Sequence, residues 1–225
     1  MTESGRDAFS QLLYPMLSPQ PTVDERVVRE LAVAPLEKSA ESNRLRLEVL
    51  TEYGEAVVVA AAGIAGSFRA RGRLLAMGNG GSATSAADIA AELMSPPHHG
   101  QPLPALCLTN DVAVVTGVAN DVSFHDVFLR QIIALGRPHD VVLAVSTSGN
   151  SENLIRGLRE AHRRGLHTIA LCGYDGGRIA KETAVDHCFV VRSSSVHRIQ
   201  EVQMTLYHLL LELVQRSLAE EKICA

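Results

Sequence analysis

The sequence lacks an excess of basic residues, and this bears on its partners. Its 225 residues include 21 lysines and arginines against 25 aspartates and glutamates, and the formal net charge is −4. Proteins that bind nucleic acids present a basic patch or stripe that neutralises phosphates. No such face is evident in this sequence, so we expect no nucleic acid among its partners.

The sequence also lacks a long apolar run, and its first residues predict no leader segment. No stretch reaches the about 18 uninterrupted apolar residues that a membrane-spanning helix needs. The first ten residues, MTESGRDAFS, are polar and mixed in charge, unlike a secretory signal peptide. We therefore expect a cytoplasmic protein with no membrane partner.

Cysteines are few and are not spaced as metal ligands usually are. The four of them, Cys107, Cys172, Cys188 and Cys224, show no CxxC pattern. Three lie in apolar, strand-like runs, where a buried thiol behaves as a small apolar side chain. The 46% hydrophobic content is ordinary for a soluble globular protein, and the length suits one α/β domain with additional helices.

Short apolar runs alternate with helical patterns along most of the chain. The predicted strands are Leu74–Met77, Ala105–Leu108, Val141–Val145, Thr168–Cys172 and Cys188–Val191. The predicted helices are Ser39–Ala70, a helix opening at Ser82, Val112–Val118, Phe124–Leu135, Glu152–Arg164, a short helix ending near Lys181, and Val196–Leu218. This alternation predicts an α/β three-layer sandwich, with five mainly parallel strands flanked by helices.

The N-terminal part is predicted to lie outside the main domain. Residues 1–24 contain Pro15, Pro19 and Pro21, which favour a loose arm, and residues 31–38 have no clear pattern. We therefore predict an N-terminal arm and helix over residues 1–38. No linker is evident after residue 40, so residues 39–225 are predicted to form one domain.

The first predicted strand leads into a glycine-rich turn, Gly78-Asn79-Gly80-Gly81, and then into a helix. Glycines permit positive φ angles and let the backbone come close to a ligand. The unpaired N–H groups of the following helix attract an anion, most often phosphate. Asp88 and Glu92 are four residues apart and so lie on one side of that helix. Together these features suggest chemistry on a small phosphorylated molecule.

A second turn of this kind, Ser146-Thr147-Ser148-Gly149-Asn150-Ser151, follows the third strand and precedes a helix. Its hydroxyls suit the oxygens of a phosphate monoester, but serine and threonine also cap helices. Open α/β sheets bind ligands at the carboxyl ends of their strands. Because two such turns lie at that edge of one sheet, ligand binding is the favoured interpretation.

Two other sites have weaker support. The pattern Gly78-x-Gly80-x-x-Ala83 partly matches the dinucleotide-binding fingerprint, but the acidic residue expected after the next strand is missing, and Asp111 comes too late. His98 and His99 are adjacent in a proline-rich loop and do not readily converge on one metal ion. A nicotinamide enzyme and a histidine-pair metal site are therefore the lesser interpretations.

Glu92 and His208 are the candidates for acid–base chemistry. Aldose–ketose isomerisation needs one group that moves a proton between adjacent carbons and another that moves protons at the oxygens. A carboxylate and an imidazole can divide these tasks. His208 lies among leucines, however, and a core histidine fits that setting as well. Gln200, Glu201 and Gln203 give the start of its helix a polar side, which fits a site or plain exposure.

Taken together, these motifs resemble the SIS (sugar isomerase) domain of phosphoheptose isomerases. The matching segments are MGNGGSA, the pair Asn120-Asp121, STSGNS, GYDGG, and RIQE followed by His208, in the family's order between about Ser39 and Leu218. The resemblance implies the flavodoxin-like SIS fold and a homotetramer to which the terminal helices contribute. It also implies conversion of sedoheptulose 7-phosphate to D-glycero-D-manno-heptose 7-phosphate.

The resemblance assigns roles to individual residues. Glu92 and His208 match the catalytic glutamate and histidine. The residues that match the substrate contacts are Asn79, Gly80, Gly81, Ser82, Glu92, Asn120, Asp121, Ser146, Thr147, Ser148, Ser151 and Gln200. Many members bind zinc through a histidine on the first helix and through the residues that match Glu92, Gln200 and His208.

The sequence departs from the family pattern at two places. Asp88 stands where the family has its zinc-binding histidine, and aspartate is also a zinc ligand. A zinc ion is therefore expected to use Glu92, Gln200 and His208, with Asp88 as a further candidate. After the glutamate the family usually reads LTGR, whereas here Leu93 is followed by Met94-Ser95-Pro96. The following loop can therefore shape a different pocket, so the metal and the exact sugar stay open.

The leading hypothesis is a phosphosugar aldose–ketose isomerase that acts on sedoheptulose 7-phosphate through an enediol. The alternative is a non-catalytic SIS-domain protein that senses a sugar phosphate or binds the bacterial replication initiator. The branch that binds the initiator lacks the catalytic glutamate and histidine. This chain has both at the matching positions, Glu92 and His208, which favours the enzyme.

Overall fold

The computed structural model describes residues 25–97 and 100–224. The predicted arm over residues 1–24 and the His98–His99 pair lie outside the described residues. The chain divides into two compact units, Met1–Glu41 and Ser42–Ala225. In the first unit, the described residues 25–41 are helical throughout. The second unit contains the sheet and all the residues predicted to form the site.

The predicted order of strands and helices is confirmed. The strands are β1 (Leu74–Gly78), β2 (Ala105–Cys107), β3 (Val141–Ser146), β4 (His167–Gly173) and β5 (His187–Val191). The α-helices are α1 (Glu25–Arg69), α2 (Gly81–Met94), α3 (Val112–Val118), α4 (Val127–Leu135), α5 (Glu152–Arg163) and α6 (Val196–Cys224). Shorter segments are a π-helical turn at Ala119–Ser123 and 3₁₀ turns at Phe124–Asp126 and Ile179–Lys181.

The strands form one sheet in the order β2-β1-β3-β4-β5, and every pair of neighbours is parallel. The predicted α/β fold with a flavodoxin-like strand order is therefore confirmed. The strand order reverses between β1 and β3, where Gly78 lies opposite Val145. Both predicted phosphate-binding turns thus leave the sheet side by side at its carboxyl edge, the position where such sheets bind ligands.

Helices cover both faces of the sheet, because successive strand residues point to opposite sides. One core packs Leu74 and Leu143 against apolar residues of α1, α2 and α6. The other packs Leu75 and Val142 against apolar residues of α4 and α5. Strands β1 and β3 are buried along their whole length. This burial on both faces is why their sequences are continuous apolar runs rather than alternating ones.

Three segments differ from the prediction. Helix α1 begins at Glu25 and runs through Pro35, which removes a backbone donor without ending the helix. Helix α6 continues past Leu218 to Cys224, since no glycine or proline interrupts it. Asn120 and Asp121, which fall between the predicted helices Val112–Val118 and Phe124–Leu135, lie in the π-helical turn. No glycine or proline breaks the backbone between α3 and the 3₁₀ turn, so the chain stays helical there.

Two helical stretches, residues 31–69 and 112–135, have the length and apolar character that a membrane span would also have. The core helices of soluble proteins meet the same criteria. Part of the first stretch is indeed buried in the core that contains Leu74. The expected absence of a membrane partner stays a prediction.

Candidate active site

Helix α2 connects the two edges of the sheet. It begins at Gly81, directly after β1 ends at Gly78, so its first turn lies at the carboxyl edge. Near its other end, the carbonyl oxygen of Leu93 accepts a hydrogen bond from the amide of Leu103 at 2.7 Å, two residues before β2 begins. The last turn of α2 therefore lies at the amino edge.

Helix α6 lies beside α2 and runs in the same direction. In its second turn, the side-chain nitrogen of Gln200 lies 2.7 Å from where a Cβ on Gly81 would be. Further along, His208 contacts Glu92. The predicted site residues therefore fall into two groups, one at the carboxyl edge and one at the amino edge.

At the carboxyl edge, the glycine turn has a shape that side chains would obstruct. Gly80 has a φ angle of +55°, which favours glycine. A Cβ on Gly78 would lie 2.3 Å from the carbonyl oxygen of Ser82. A Cβ on Gly81 would press on the amide of Gln200. The structure thus brings together the glycine turn, Ser82 and Gln200, as predicted from the resemblance.

The side chain of Asn79 links the glycine turn to the helix that follows the serine turn. Its Nδ2 donates to Oδ1 of Asn153 at 2.9 Å, and its Oδ1 accepts from Nδ2 of Asn153 at 3.0 Å. Asn153 is buried in the first turn of α5. Asn79, predicted as a substrate contact, therefore also fixes the position of one turn relative to the other.

The serine turn is held in shape by two glycines that follow β4. Gly149 has a φ angle of +63°, and a Cβ there would lie 2.0 Å from the carbonyl oxygen of Gly176. A Cβ on Gly177 would lie 2.4 Å from the carbonyl oxygen of Ser148. Within the turn, the hydroxyl oxygen of Ser146 accepts a hydrogen bond from the Gly149 amide at 3.0 Å. The turn therefore has a fixed shape before any ligand binds.

The hydroxyl of Ser151 does not cap helix α5. Ser151 precedes the first helical residue, yet its side chain forms no capping hydrogen bond. Thr147, Ser148 and Ser151 are all half-buried rather than sealed in the core. A serine that only capped the helix would be bonded to amides of the first turn. Of the two interpretations open for this turn, anion binding is therefore the better supported.

At the amino edge, Glu92 and His208 form a hydrogen-bonded pair. Oε2 of Glu92 lies 2.6 Å from Nδ1 of His208. The Glu92 side chain is 19% exposed and that of His208 is 47% exposed. His208 is therefore not a core histidine. The contact leaves Oε1 of the carboxylate and Nε2 of the imidazole for other partners, as proton exchange with a substrate requires.

Asp88 lies one turn before Glu92 and is also engaged from helix α6. Its Oδ2 accepts a hydrogen bond from the hydroxyl of Tyr207 at 2.6 Å. The Tyr207 side chain is buried, and its ring centroid lies 4.5 Å from that of His208. Burial, followed by the hydrogen bond to Asp88, raises the pKa of the Tyr207 hydroxyl above its usual value. The hydroxyl therefore stays protonated and acts as the donor.

Three side chains at this edge carry donor atoms suited to a divalent cation. Asp88, Glu92 and His208 each offer one ligand atom, and these atoms lie within 4.8 Å of one another. Gln200 is eight residues before His208 on α6, a rise of about 12 Å along the helix. Within one chain, the metal set expected from the resemblance is therefore not brought together, because Gln200 contacts the glycine turn instead.

Asn120 and Asp121 are exposed in the π-helical turn after α3. Nδ2 of Asn120 donates to Oδ1 of Asp121 at 2.8 Å. Among the described residues, no side-chain hydrogen bond joins this pair to either turn or to the Glu92–His208 pair. Their predicted contact with substrate stays a prediction.

Two clefts of about 490 Å³ each differ in their relation to these groups. One is lined by Glu92 and His208, by Glu212 and Arg216 further along α6, and by the loop after α2. The other lies beside the edge strand β2, has a mainly apolar lining, and contains none of the predicted site residues. The first cleft is therefore the candidate for the reacting end of a substrate.

Two residues of the site region, Asn153 and Tyr207, were not identified from the sequence. Asn153 follows the serine turn by two positions, and Tyr207 directly precedes His208. Their closeness in sequence to the predicted motifs was therefore the signal that could have identified them. Each acts through a partner on a distant segment, and such a pairing is visible only in the folded chain.

The sequence is similar to a known domain family and to named proteins. The profile of the SIS domain family matches residues 39–173. A phosphoheptose isomerase of Aquifex aeolicus is 42% identical over 181 residues, which are 80% of this chain and 94% of that protein. One from a Roseiflexus species is 43% identical over 168 residues, 73% of this chain and 83% of that protein.

A solved structure gives the same result. The phosphoheptose isomerase of Neisseria gonorrhoeae superposes on this chain with a TM-score of 0.74 at 37% sequence identity. The match covers 83% of this chain and 98% of that one. The three similar proteins thus share one enzyme name.

Proposed function

The chain belongs to the phosphoheptose isomerase family of SIS-domain proteins, and we propose that it converts sedoheptulose 7-phosphate to D-glycero-D-manno-heptose 7-phosphate. The relatives are named for an isomerisation, in which a carboxylate and an imidazole can divide the proton transfers. The observation that carries the proposal is the contact between Oε2 of Glu92 and Nδ1 of His208 at 2.6 Å.

The reaction moves one proton between carbons and another between oxygens. In the proposed mechanism, Glu92 takes a proton from C1 of the ketose, which gives an enediol, and returns it to C2. His208, held at Nδ1 by Glu92, moves a proton from O1 to O2 through Nε2. Positioned acid–base groups of this kind contribute rate factors of about 10²–10⁴ each.

The serine turn binds the phosphate in this proposal. Thr147, Ser148 and Ser151 present hydroxyls at the start of α5, where unpaired N–H groups and the helix dipole also favour an anion. The fixed shape of the turn supports this role, because little conformational freedom is lost when the phosphate binds. The glycine turn, with Gln200 beside it, lines the sugar.

The separation of the two groups supports a site shared between copies of the chain. Gly81 and Glu92 are eleven positions apart on α2, a rise of about 16 Å. Seven bonds of about 1.5 Å join C2 of the ketose to its phosphorus, so even a straight chain of them spans only about 10 Å. A substrate held by the serine turn of one copy therefore reacts at the Glu92–His208 pair of another. This supports the homotetramer implied by the resemblance.

A zinc ion is compatible with the proposal. Asp88, Glu92 and His208 supply two carboxylates and an imidazole, all of which are zinc ligands, and their donor atoms lie within 4.8 Å of one another. The residues present therefore fit the ion, with Asp88 at the position of the family's histidine. A zinc ion held there supplies Lewis-acid polarisation of substrate oxygens.

The proposal also covers location and partners. The chain carries 25 acidic against 21 basic residues, which supports a protein that does not bind nucleic acid. A soluble phosphorylated sugar as the substrate supports a cytoplasmic enzyme. Its partners are then this substrate and further copies of the chain, with no membrane involved.

Direct turnover tests the function. The purified protein is incubated with sedoheptulose 7-phosphate, with and without added zinc, and aldose formation is followed over time. We expect turnover, and slower turnover with shorter ketose phosphates. If no ketose phosphate is converted under either condition, the proposed function is wrong.

Complementation tests the shared site. Glu92→Gln and the double variant Ser148→Ala/Ser151→Ala are each expected to have little activity. The two variants are mixed in equal amounts, unfolded and reassembled. Some sites then combine the intact Glu92–His208 pair of one variant with the intact serine turn of the other. About one quarter of wild-type activity is then expected for a site between two symmetry-related chains. Sites contained within single chains would show no gain on mixing.

A further inference from the structure

Tyr207 is buried and contacts both Asp88 and His208. It directly precedes His208 on α6 and is 1% exposed. Its hydroxyl donates to Oδ2 of Asp88 at 2.6 Å, and its ring centroid lies 4.5 Å from that of His208. A single immobile side chain therefore touches two of the three residues that could hold a cation.

Asp88 has little else to fix its orientation. It is exposed on α2, and its carboxylate lies close to that of Glu92. No lysine or arginine in the described part of the chain forms an ion pair with either carboxylate. An exposed aspartate without a partner samples several side-chain rotamers. The hydrogen bond from Tyr207 selects one of them.

The selected rotamer is the one that a shared cation needs. With Oδ2 held by Tyr207, the carboxylate of Asp88 stays beside Glu92 and His208, and the three donor atoms lie within 4.8 Å of one another. Metal-binding carboxylates are commonly held by such a second hydrogen bond. Proximity alone does not ensure this arrangement, because Asp88 and Glu92 repel each other when both are charged.

We propose that Tyr207 is a positioning residue, whose hydroxyl holds Asp88 so that Asp88, Glu92 and His208 bind one divalent cation. This positioning role depends on the proposed function only in that Glu92 and His208 take part in both. Loss of a hydrogen bond of this kind lowers metal affinity by about 10- to 100-fold. The Tyr207 hydroxyl matters in this chain because Asp88 stands at the position of the family's zinc-binding histidine.

Zinc affinity provides a test that does not depend on turnover. The metal-free full-length protein is titrated with zinc against a chromophoric chelator. We expect Tyr207→Phe to weaken zinc binding about 10- to 100-fold, and Asp88→Asn to weaken it at least as much. Tyr53→Phe is the matched control, because Tyr53 is a partly buried tyrosine whose hydroxyl lies near Arg192, away from the site. It should bind zinc like the wild type.

Changing residue 88 separates positioning from a general structural effect. In the Asp88→Asn background, Tyr207→Phe should cause no further loss of zinc affinity. In the Asp88→His background, zinc binding should persist and should not respond to Tyr207→Phe, because an imidazole ligates zinc without that hydroxyl. Circular dichroism of the metal-free variants verifies that each is folded.

The outcomes are distinct. If Tyr207→Phe lowered zinc affinity equally in all backgrounds, its role would be structural and the proposal would be overturned. The proposal would also be overturned if Tyr207→Phe bound zinc with wild-type affinity, or if the wild type bound no zinc. Failure of isomerase activity is a separate result. If the zinc affinities follow the expected pattern but the protein has no turnover, the positioning role stands and the proposed function is wrong. If the protein turns over but the zinc affinities do not follow that pattern, the proposed function stands and the positioning role is wrong.

Discussion

The two ends of helix α2 are built by different means. At the carboxyl edge, the glycine and serine turns are shaped by backbone atoms in close contact, such as Gly149 against Gly176. At the amino edge, Glu92 meets His208 across 116 positions of sequence, and Asp88 meets Tyr207 across 119, through side chains alone. The first end depends on the path of the chain, whereas the second depends on a few atoms of two helices.

This difference predicts how each end responds to substitution. A change in a turn alters backbone shape, so it should reduce stability and ligand binding together. A change at the Glu92–His208 pair should alter chemistry while the fold remains, because neither residue belongs to the apolar core that holds the two helices.

The largest effect is expected from Glu92→Gln. The amide keeps the size of the carboxylate but cannot accept the C1 proton, so the turnover number should fall by about 10³-fold. Stability and affinity for the substrate's phosphate should change little. Turnover assays, calorimetric binding of sedoheptulose 7-phosphate and urea unfolding measure the three quantities.

Glu55→Gln is the matched control for this prediction, since Glu55 is an exposed carboxylate of α1. Its turnover should equal that of the wild type. A Glu92→Gln enzyme with a normal rate would mean that the amino edge carries no chemistry. A variant that unfolds or loses substrate would contradict the separation between the two ends.

The second effect is expected from Gly149→Ala in the serine turn. The new Cβ would lie 2.0 Å from the carbonyl oxygen of Gly176, so backbone must move. We expect the free energy of unfolding to fall by about 3 kcal/mol, with a higher KM for the substrate. Urea unfolding and steady-state kinetics measure the two changes.

Gly165→Ala separates the clash from backbone strain. Gly165 also has a positive φ angle, +74°, but a Cβ there would meet no atom within 4 Å. It should cost only about 1–2 kcal/mol, the penalty for a left-handed residue, and leave KM unchanged. Equal costs at the two glycines would show that the serine turn can relax, against the rigid carboxyl edge inferred above.

The same contrast explains what could be predicted from the sequence. The residue types of each turn are neighbours in sequence, so Gly78 to Ser82 and Ser146 to Ser151 could be predicted as binding turns. The contacts of the serine turn with the glycines after β4 could not be predicted. The strands were equally predictable as short apolar runs, and those of β1 and β3 are continuous because both strands are buried along their whole length. These features follow from local chemistry.

The amino edge could not be predicted in this way. That Tyr207 meets Asp88 depends on how α6 is aligned along α2, and that alignment is set by packing over the whole sheet. The placement of Gln200 beside the glycine turn, away from His208, follows from the same alignment. Glu92 and His208 were predicted to act together, but their direct contact, and that of Asp88 with its buried partner, is visible only in the folded chain.

The third effect concerns the amide pair that joins the two turns. Asn79→Ala and Asn153→Ala each remove one partner and leave buried amide groups unsatisfied, which should cost about 1–2 kcal/mol of unfolding free energy. The double variant should cost less than the sum of the two, because the pair is then absent on both sides. Urea unfolding of all four proteins gives the coupling energy.

Asn110→Ala serves as the control for this cycle, because Asn110 is exposed and should change stability by no more than about 0.5 kcal/mol. If the two single losses were strictly additive, Asn79 and Asn153 would act independently. The carboxyl edge would then consist of two separate turns rather than one coupled unit.

The smallest effect is expected from His167. It shows whether the charge of a side chain outside the Glu92–His208 and Asp88–Tyr207 pairs also affects the amino edge. His167 opens β4 at that edge, where its ring lies against Gly63 and 5.3 Å from the ring of His187. Burial, together with the charge of His187, lowers the pKa of His167 below 6.5, and Asp186 opposes this only in part. The folded state therefore binds this proton less readily than the unfolded state does.

The sign of the pH dependence follows from that lowered pKa. The stability contribution of a neutral His167 is complete above pH 6.5 and is lost as the pH falls below 6.5 toward the lowered value. Between pH 7 and pH 5, wild-type stability should therefore fall more than that of His167→Gln, measured by urea unfolding. His162→Gln, an exposed histidine near the end of α5, should follow the wild type. Parallel curves for all three proteins would mean that acid sensitivity arises elsewhere and that His167 adds nothing to the side-chain dependence of the amino edge.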